Sequence, residues 1–392
     1  MANTVAGVQQ RFQIKAESAY DTPTAFAVTD AVDLIELKIE PELNYTELAA
    51  HTGTSSQIAR IEGKRGGKWS LSSFIRPVAA GTQPDIGPLL LAAIGDYASN
   101  TYTCDEDDDI NLLQFGRYAG DNLYEVINGC WVEEIEFECK GGEPPKITAS
   151  GGFASYGMVM GGGTVSGSQA AAQTVIEVAT GDSKRYRPGA FIKFGSTIGA
   201  LDNAGAGYRI TAVTYTGTEA ITITPGLAVA DALSGGEAIT PLQGTVALHF
   251  AEVNGSVIGG IACDLTVGGT SIGFIDGKVN VKTGIRALNG EATTNRPNRL
   301  VRGKRAVTGE AKCYALNESN LYLGGAWNGT LAAINFRFGA NTSGARIALN
   351  SPNAQIDVSP IEIPESEEAT YSLKFVSLQS TTAGDELAVV TS

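Results

Sequence analysis

Apolar and polar residues alternate with a period of two in short runs along most of the chain. Examples are Trp69-Ser-Leu-Ser-Ser-Phe-Ile75, Trp131-Val-Glu-Glu-Ile-Glu-Phe-Glu138, Thr174-Val-Ile-Glu-Val-Ala179, Tyr208-Arg-Ile-Thr-Ala-Val-Thr-Tyr215 and Ile275-Asp-Gly-Lys-Val-Asn-Val281. Residues two apart in a strand face the same side, so this pattern predicts half-buried strands rather than helices. The runs are rich in Val, Ile, Thr, Tyr and Phe and are broken by Gly, Asn and Pro, as at Pro188-Gly189 and Pro225-Gly226, which mark turns. One helix is predicted over Pro84–Ile94, with prolines near its start and Gly95 as its stop. A second short helix is placed near Glu318-Ser-Asn-Leu321.

The runs fall into three blocks. The first spans 1–160. A glycine-rich linker, Gly161-Gly-Gly-Thr-Val-Ser-Gly-Ser168, leads into a small all-β block over 161–244, and the third block spans 245–392. The middle block reads as a module inserted in a surface loop and pointing outward, where a folded insertion costs little. The outer blocks share an order of elements: a strand (Val32–Ile39; Ile275–Val281), a long polar loop (43–60; 284–300), a basic strand start and a closing pair of strands. Gly63-Lys64-Arg65 and Gly303-Lys304-Arg305 match at an offset of 240. The closing pairs are Trp131–Glu138 with Pro145–Phe153, and Ala354–Val358 with Ala369–Phe375. This predicts a mainly β chain in which two related sandwich or barrel domains, with a short flanking helix, bracket a small all-β insertion.

Composition narrows the function. Of the 392 residues, 43% are hydrophobic, enough for a core, while 48 are glycine and only 18% are charged. The net charge of −14 disfavours a protein that grips nucleic acid through its phosphates. Five widely spaced cysteines with no CxxC pair predict packed thiols rather than a zinc site or a disulfide framework. The first residues lack a basic and an apolar region, so no signal peptide is expected. The longest apolar stretch, Pro88–Ile94, falls far short of the ~20 residues that span a bilayer, so no membrane partner is expected.

No motif carries enzyme chemistry. Gly269-Thr-Ser-Ile-Gly273 fits the nucleophile-elbow pattern, but that triad needs a later histidine and only His51 and His249 exist, both before Ser271. The acidic run Asp105–Asp109 lacks the glycine and glutamate that an EF-hand loop places at its sixth and twelfth positions, where Ile110 and Gly116 stand. No phosphate-binding glycine loop is complete. The expectation is a structural protein with no catalytic residue, no cofactor and no metal. Two basic clusters remain: Arg60, Lys64, Arg65 and Lys68, and Arg296, Arg299, Arg302, Lys304 and Arg305. Both sit at loop ends in an acidic chain and are read as protein–protein contacts, with the acidic stretches Glu133–Glu138 and Glu362–Glu368 as available partners.

Several segments together resemble the tail tube (major tail) proteins of long-tailed bacteriophages. Lys15-Ala-Glu-Ser-Ala-Tyr-Asp-Thr-Pro23 is similar to the family's opening E-x-x-[YF]-G-T, with Asp21 where glycine is usual. Leu71-Ser-Ser-Phe-Ile-Arg-Pro77 followed by Gly87–Gly95 resembles its strand and helix. Arg305–Tyr314 and Pro352–Asp357 resemble its closing half. The likeness covers the outer blocks and omits the middle one. It implies tube-type β-sandwich or barrel domains that pair edge to edge into a ring around a lumen. It also implies that rings stack through long loops, here 43–68 and 284–305, which makes the nine basic residues above ring-stacking candidates. Two such domains per chain imply a trimeric, pseudo-hexameric ring, with a hexamer as the alternative. The implied partners are other copies of the chain, the tape measure and the terminator. DNA would pass through the lumen without specific binding, and the protein would reside in the virion tail. A capsid decoration or sheath protein, and an extracellular adhesin with Ig-like modules, are the rival readings.

Overall fold

A computed structural model describes residues 10–47, 60–79, 82–104, 109–119, 123–195, 201–242, 256–259, 262–288, 297, 299–315, 329, 331–342, 346–363, 368–380 and 385–391. The chain is mainly β, with one α-helix among these residues. The second expected helix, at 318–321, lies outside them.

The first block holds β1 (Gln10–Glu17), β2 (Ala31–Val32), β3 (Glu36–Glu47), β4 (Arg60–Phe74), α1 (Gly87–Ala93), β5 (Gly95–Ala98), β6 (Thr101–Cys104), β7 (Leu112–Ala119), β8 (Leu123–Lys140), β9 (Lys146–Phe153) and β10 (Ser155–Met160). The middle block holds β11 (Gly163–Thr164), β12 (Val175–Glu177), β13 (Tyr186–Arg187), β14 (Phe191–Phe194), β15 (Tyr208–Thr214), β16 (Ala220–Thr224) and β17 (Ala238–Pro241). The third holds β18 (Cys263–Val267), β19 (Thr270–Ile272), β20 (Phe274–Lys282), β21 (Ile285–Leu288), β22 (Arg299–Arg302), β23 (Ala306–Tyr314), β24 (Leu331–Gly339), β25 (Arg346–Val358), β26 (Thr370–Ser377) and β27 (Ala388–Thr391).

The outer blocks are built on one strand diagram. In the first, the antiparallel pairs are β1–β2, β1–β7, β7–β8, β8–β10, β8–β9, β9–β4 and β4–β3. In the third, the same sequence of partners is β18–β19, β18–β24, β24–β25, β25–β27, β25–β26, β26–β23 and β23–β20. Registers agree as well. Adding 240 to both members of Glu36↔Ser72 and Glu42↔Gly66 returns Asp276↔Lys312 and Lys282↔Ala306. The slip after Leu43, which sets Tyr45 opposite Glu62, recurs as Ile285 opposite Arg302 at the same offset. The irregularity between Leu113↔Cys130 and Phe115↔Ile127 recurs between Ala332↔Ala354 and Ile334↔Ser351. A one-residue slip turns every side chain to the other face, so shared bulges at matching places mark two copies of one design.

Volume is conserved where side chains are not. Trp69 lies opposite Gly151, while the equivalent Gly309 lies opposite Phe375. A Cβ on Gly309 would come within 2.3 Å of the Phe375 ring, and one on Gly151 within 3.1 Å of Trp69. Each repeat therefore fills one site with an aromatic ring from one strand and a glycine from its neighbour, on opposite sides.

The eighteen-residue β8 joins the repeats. Its first half pairs with β7 and β10, and its second half lies between β9 and β20. Residues 276–282 of β20 pair with 134–140 of β8, which merges both repeats into one 19-stranded sheet. Phe137, Cys139, Val279 and Phe338 sit in one core cluster spanning both repeats, with the Phe137 and Phe338 rings stacked at 6.4 Å. A second tie runs the other way: β6 of the first repeat pairs with β27 of the second, and Thr391 N–H donates to the Asn100 carbonyl at 2.8 Å.

The middle block has its own six-stranded sheet. The glycine-rich linker is partly ordered within it: Gly163–Thr164 forms β11 against β17, and Val165 is buried. Gly163 is held close because a Cβ there would meet the Tyr186 hydroxyl at 1.9 Å. The block is not loosely tethered. Its core includes Tyr118, Tyr124, Val126 and Val159 of the first repeat, the Tyr118 hydroxyl donates to the Leu242 carbonyl at 2.6 Å, and β13 pairs with β10.

Candidate functional site

Strand alternation places residues 135, 137 and 139 of β8 in the core and Glu134, Glu136 and Glu138 on the opposite, polar face. On the same face β20 presents Lys278, Asn280 and Lys282, β23 Thr308 and Glu310, β26 Lys374, and β25 Gln355 and Asp357. Residues from these five strands line an open groove of about 750 Å³.

The charges on this face form a row. Glu138 lies opposite Lys278, Lys278 opposite Glu310, Glu310 opposite Lys374, and Lys374 opposite Asp357. The sign alternates across five strands, and opposite charges facing one another across a sheet are favourable. Lys278 Nζ lies 3.3 Å from Glu310 and 3.6 Å from Glu136. These carboxylates hold its ammonium above the usual lysine range, the Glu310 hydrogen bond first. Asn280 donates to Glu134. The acidic stretch expected to meet basic loops of other subunits is thus used at Glu134, Glu136 and Glu138 inside the chain, on the joint between repeats.

The nine basic residues fall in different settings. Arg60, Lys64, Arg65 and Lys68 lie along β4, and Arg65 and Lys68 are exposed. Arg299 and Arg302 lie on β22, and Lys304 is exposed in the loop that follows. Arg296 lies outside the described residues. The two segments come side by side: a Cβ on Gly66 would sit 3.8 Å from Pro297, and the Tyr20 hydroxyl donates to the Pro297 carbonyl. Arg302 Nη2 donates to the Asp109 carbonyl at 2.9 Å, and Ile285, Ala287 and Leu300 pack with Tyr20, Ile110, Leu112 and Trp131. The base of the second loop therefore lies on the first repeat. Arg305 turns inward: its Nη1 is 2.7 Å from Glu386, and the two side chains are only 9% and 13% exposed. Its match Arg65 is exposed, so one Gly-Lys-Arg motif serves two environments.

Ser271 sits on a hairpin. It follows the Gly268–Gly269 turn, with both glycines at positive φ, on β19, and its hydroxyl donates to Asp264 at 2.7 Å. That is not the strand-to-helix elbow a nucleophile needs. Both histidines, and 105–108 of the acidic run, lie outside the described residues. Among the described residues no cluster of His, Cys, Asp or Glu has the makings of a metal site, and no helix is long and apolar enough to cross a membrane. Compared with known families and characterised proteins, the chain matches no family model and no curated protein.

The charged row went unread in the sequence, although alternation was visible in Glu134, Glu136 and Glu138 and in Lys278, Asn280 and Lys282. What was missing was the knowledge that β8 and β20, about 140 positions apart, are neighbours.

Proposed function

We propose that this chain is a tail tube protein of a long-tailed bacteriophage, a structural subunit that assembles into stacked rings enclosing a conduit for DNA. The observation that carries the reading is the β8–β20 joint. Two copies of one β domain meet edge to edge and continue as a single antiparallel sheet with an apolar core on one side and a polar face on the other. A sheet extended by whole domains in this manner rids itself of exposed edges by closing on itself. With two domains per chain, three chains supply six, which favours a trimeric, pseudo-hexameric ring.

The polar face suits a passage that does not retain its cargo. A lysine that grips a phosphate takes the place of cations condensed on the nucleic acid, and here the lysines are already paired with fixed carboxylates. Lys278 lies between Glu136 and Glu310, and Lys374 faces both Glu310 and Asp357. In this reading the lining is charge-paired and offers phosphate no net attraction. No step is catalytic in this reading. Electron microscopy of the concentrated protein, viewed end-on, tests it. Hollow rings or tubes with three outer projections, one per middle block, are expected. Six projections would keep the conduit and replace the trimer by a hexamer, while a protein that stays monomeric at every concentration would refute the reading.

A further inference from the structure

The joint between repeats has a missing counterpart. If the repeats are equivalent, the edge that β8 offers to β20 should recur at the end of β25, and the edge that β20 offers to β8 should recur on β3. The registers locate both. Glu138 lies opposite Lys146, and Glu362 bridges Thr370, each 224 further on. Phe137, Glu138 and Cys139 therefore correspond to Ile361, Glu362 and Ile363. At the offset of 240, Gly277, Lys278 and Val279 correspond to Leu37, Lys38 and Ile39.

The burial of these positions shows what is absent. Phe137 and Cys139 are buried beneath the joint, whereas Ile361 is 39% and Ile363 81% exposed. Ile35, immediately before β3, is 47% exposed. Its counterpart Ile275 belongs to the joint, where its carbonyl accepts the Gly141 N–H at 2.9 Å. Among the described residues β3 pairs with β4 alone. At 361 and 363 apolar side chains stand in water where their copies are covered, and Ile35 is exposed where Ile275 is half-buried, while Leu37 is already buried within its own repeat.

We infer that β3 of one chain pairs antiparallel with residues 361–363 of a second copy, setting Leu37 opposite Ile363, Lys38 opposite Glu362 and Ile39 opposite Ile361. This rests on the tube reading and specifies its subunit seam. The internal joint supplies both chemistries: Lys278 faces Glu138 on its polar side, and Val279 faces Phe137 on its apolar side. The seam repeats the lysine opposite a glutamate and sets an aliphatic pair, Ile39 and Ile361, where the joint has Val279 and Phe137. Pro41 and Pro360 both fall at one end of it, where a residue without an N–H ends a ladder. The seam is thus shorter than the internal joint. Each chain carries one edge of each kind, so the contact is head-to-tail and must close into a ring or run on as a filament.

Directly opposite residues of antiparallel strands lie about 4.5–5.5 Å apart, within disulfide range. The full-length chain carrying Lys38→Cys and Glu362→Cys should form reducible multimers under copper-phenanthroline oxidation. The ladder should stop at the ring size, and neither single variant should produce it. The double variant Ile361→Glu with Ile363→Glu alters exposed positions only. It should keep the native circular dichroism and melting temperature while losing the rings. Rings that assemble without cross-linking, or that survive the glutamates, would overturn the seam and leave the conduit standing. A wild-type chain that forms no assembly at any concentration would overturn both.

Discussion

Replacing Arg305 by alanine is expected to unfold rather than disassemble. The Arg305–Glu386 pair is closed off: the side chains are 9% and 13% exposed, and the neighbouring Cys104 thiol is pushed up to about 12 by burial. Removing one member of such a pair leaves a buried charge without compensation, a loss of about 3–5 kcal/mol. Arg65 holds the matching position at the offset of 240 but is exposed, and its truncation should cost no more than about 0.5 kcal/mol. Replacing both partners, Arg305→Met with Glu386→Leu, removes the stranded charge and should return stability close to wild type. Urea unfolding followed by tryptophan fluorescence reads all three variants and the wild type in one buffer. If Arg305→Ala is no more destabilised than Arg65→Ala, the pair is not structural. Arg305 would then belong with the other basic residues as a group offered to neighbouring rings.

Two further outcomes follow from burial. The carboxyl of Glu17 is pushed from 4.5 up to about 8, chiefly by burial and against the opposing Gly129 N–H hydrogen bond. The folded chain therefore holds a proton that the unfolded chain releases. Glu17 favours folding fully below pH 4.5, and that contribution is lost at up to about 1.4 kcal/mol per pH unit as pH rises towards 8. Glu17→Gln should flatten the fall in melting temperature between pH 5 and 8; an unchanged slope would show that Glu17 ionises normally. Gly309→Ala drives a methyl to within 2.3 Å of Phe375 and should cost about 1–3 kcal/mol, partly recovered by Phe375→Leu. A loss unrelieved by that second change would place the strain elsewhere.

The extent to which the sequence revealed this fold follows the spacing between partners. The hairpins β3–β4 and β20–β23 were readable because they are equal in length, so one offset of 240 carries Gly63-Lys64-Arg65 onto Gly303-Lys304-Arg305. Later strands keep the same partners at other offsets, 219 for β7 to β24 and 224 for β8 to β25, because the connecting segments differ in length. A single-offset comparison loses them. The linker 161–168 was read from its glycines, yet Val165 is apolar enough to be buried and Gly163 is required by its contact with Tyr186. Arg305 and Arg65 show the limit most sharply. Identical local sequence cannot report whether residue 386, some eighty positions on, supplies a carboxylate.

The pairing of β6 with β27 also has a bearing on how the chain is made. Residues 101–103 acquire their partner only when 388–390 have been synthesised. At the usual ~5–20 residues per second, that edge waits on the order of 15–60 s while the residues up to 390 are made. Until then the first repeat carries an uncovered strand that any nascent neighbour on the same message could occupy. Closing the strand within its own chain makes this edge wait for β27, so a product that stops before residue 388 would keep it open.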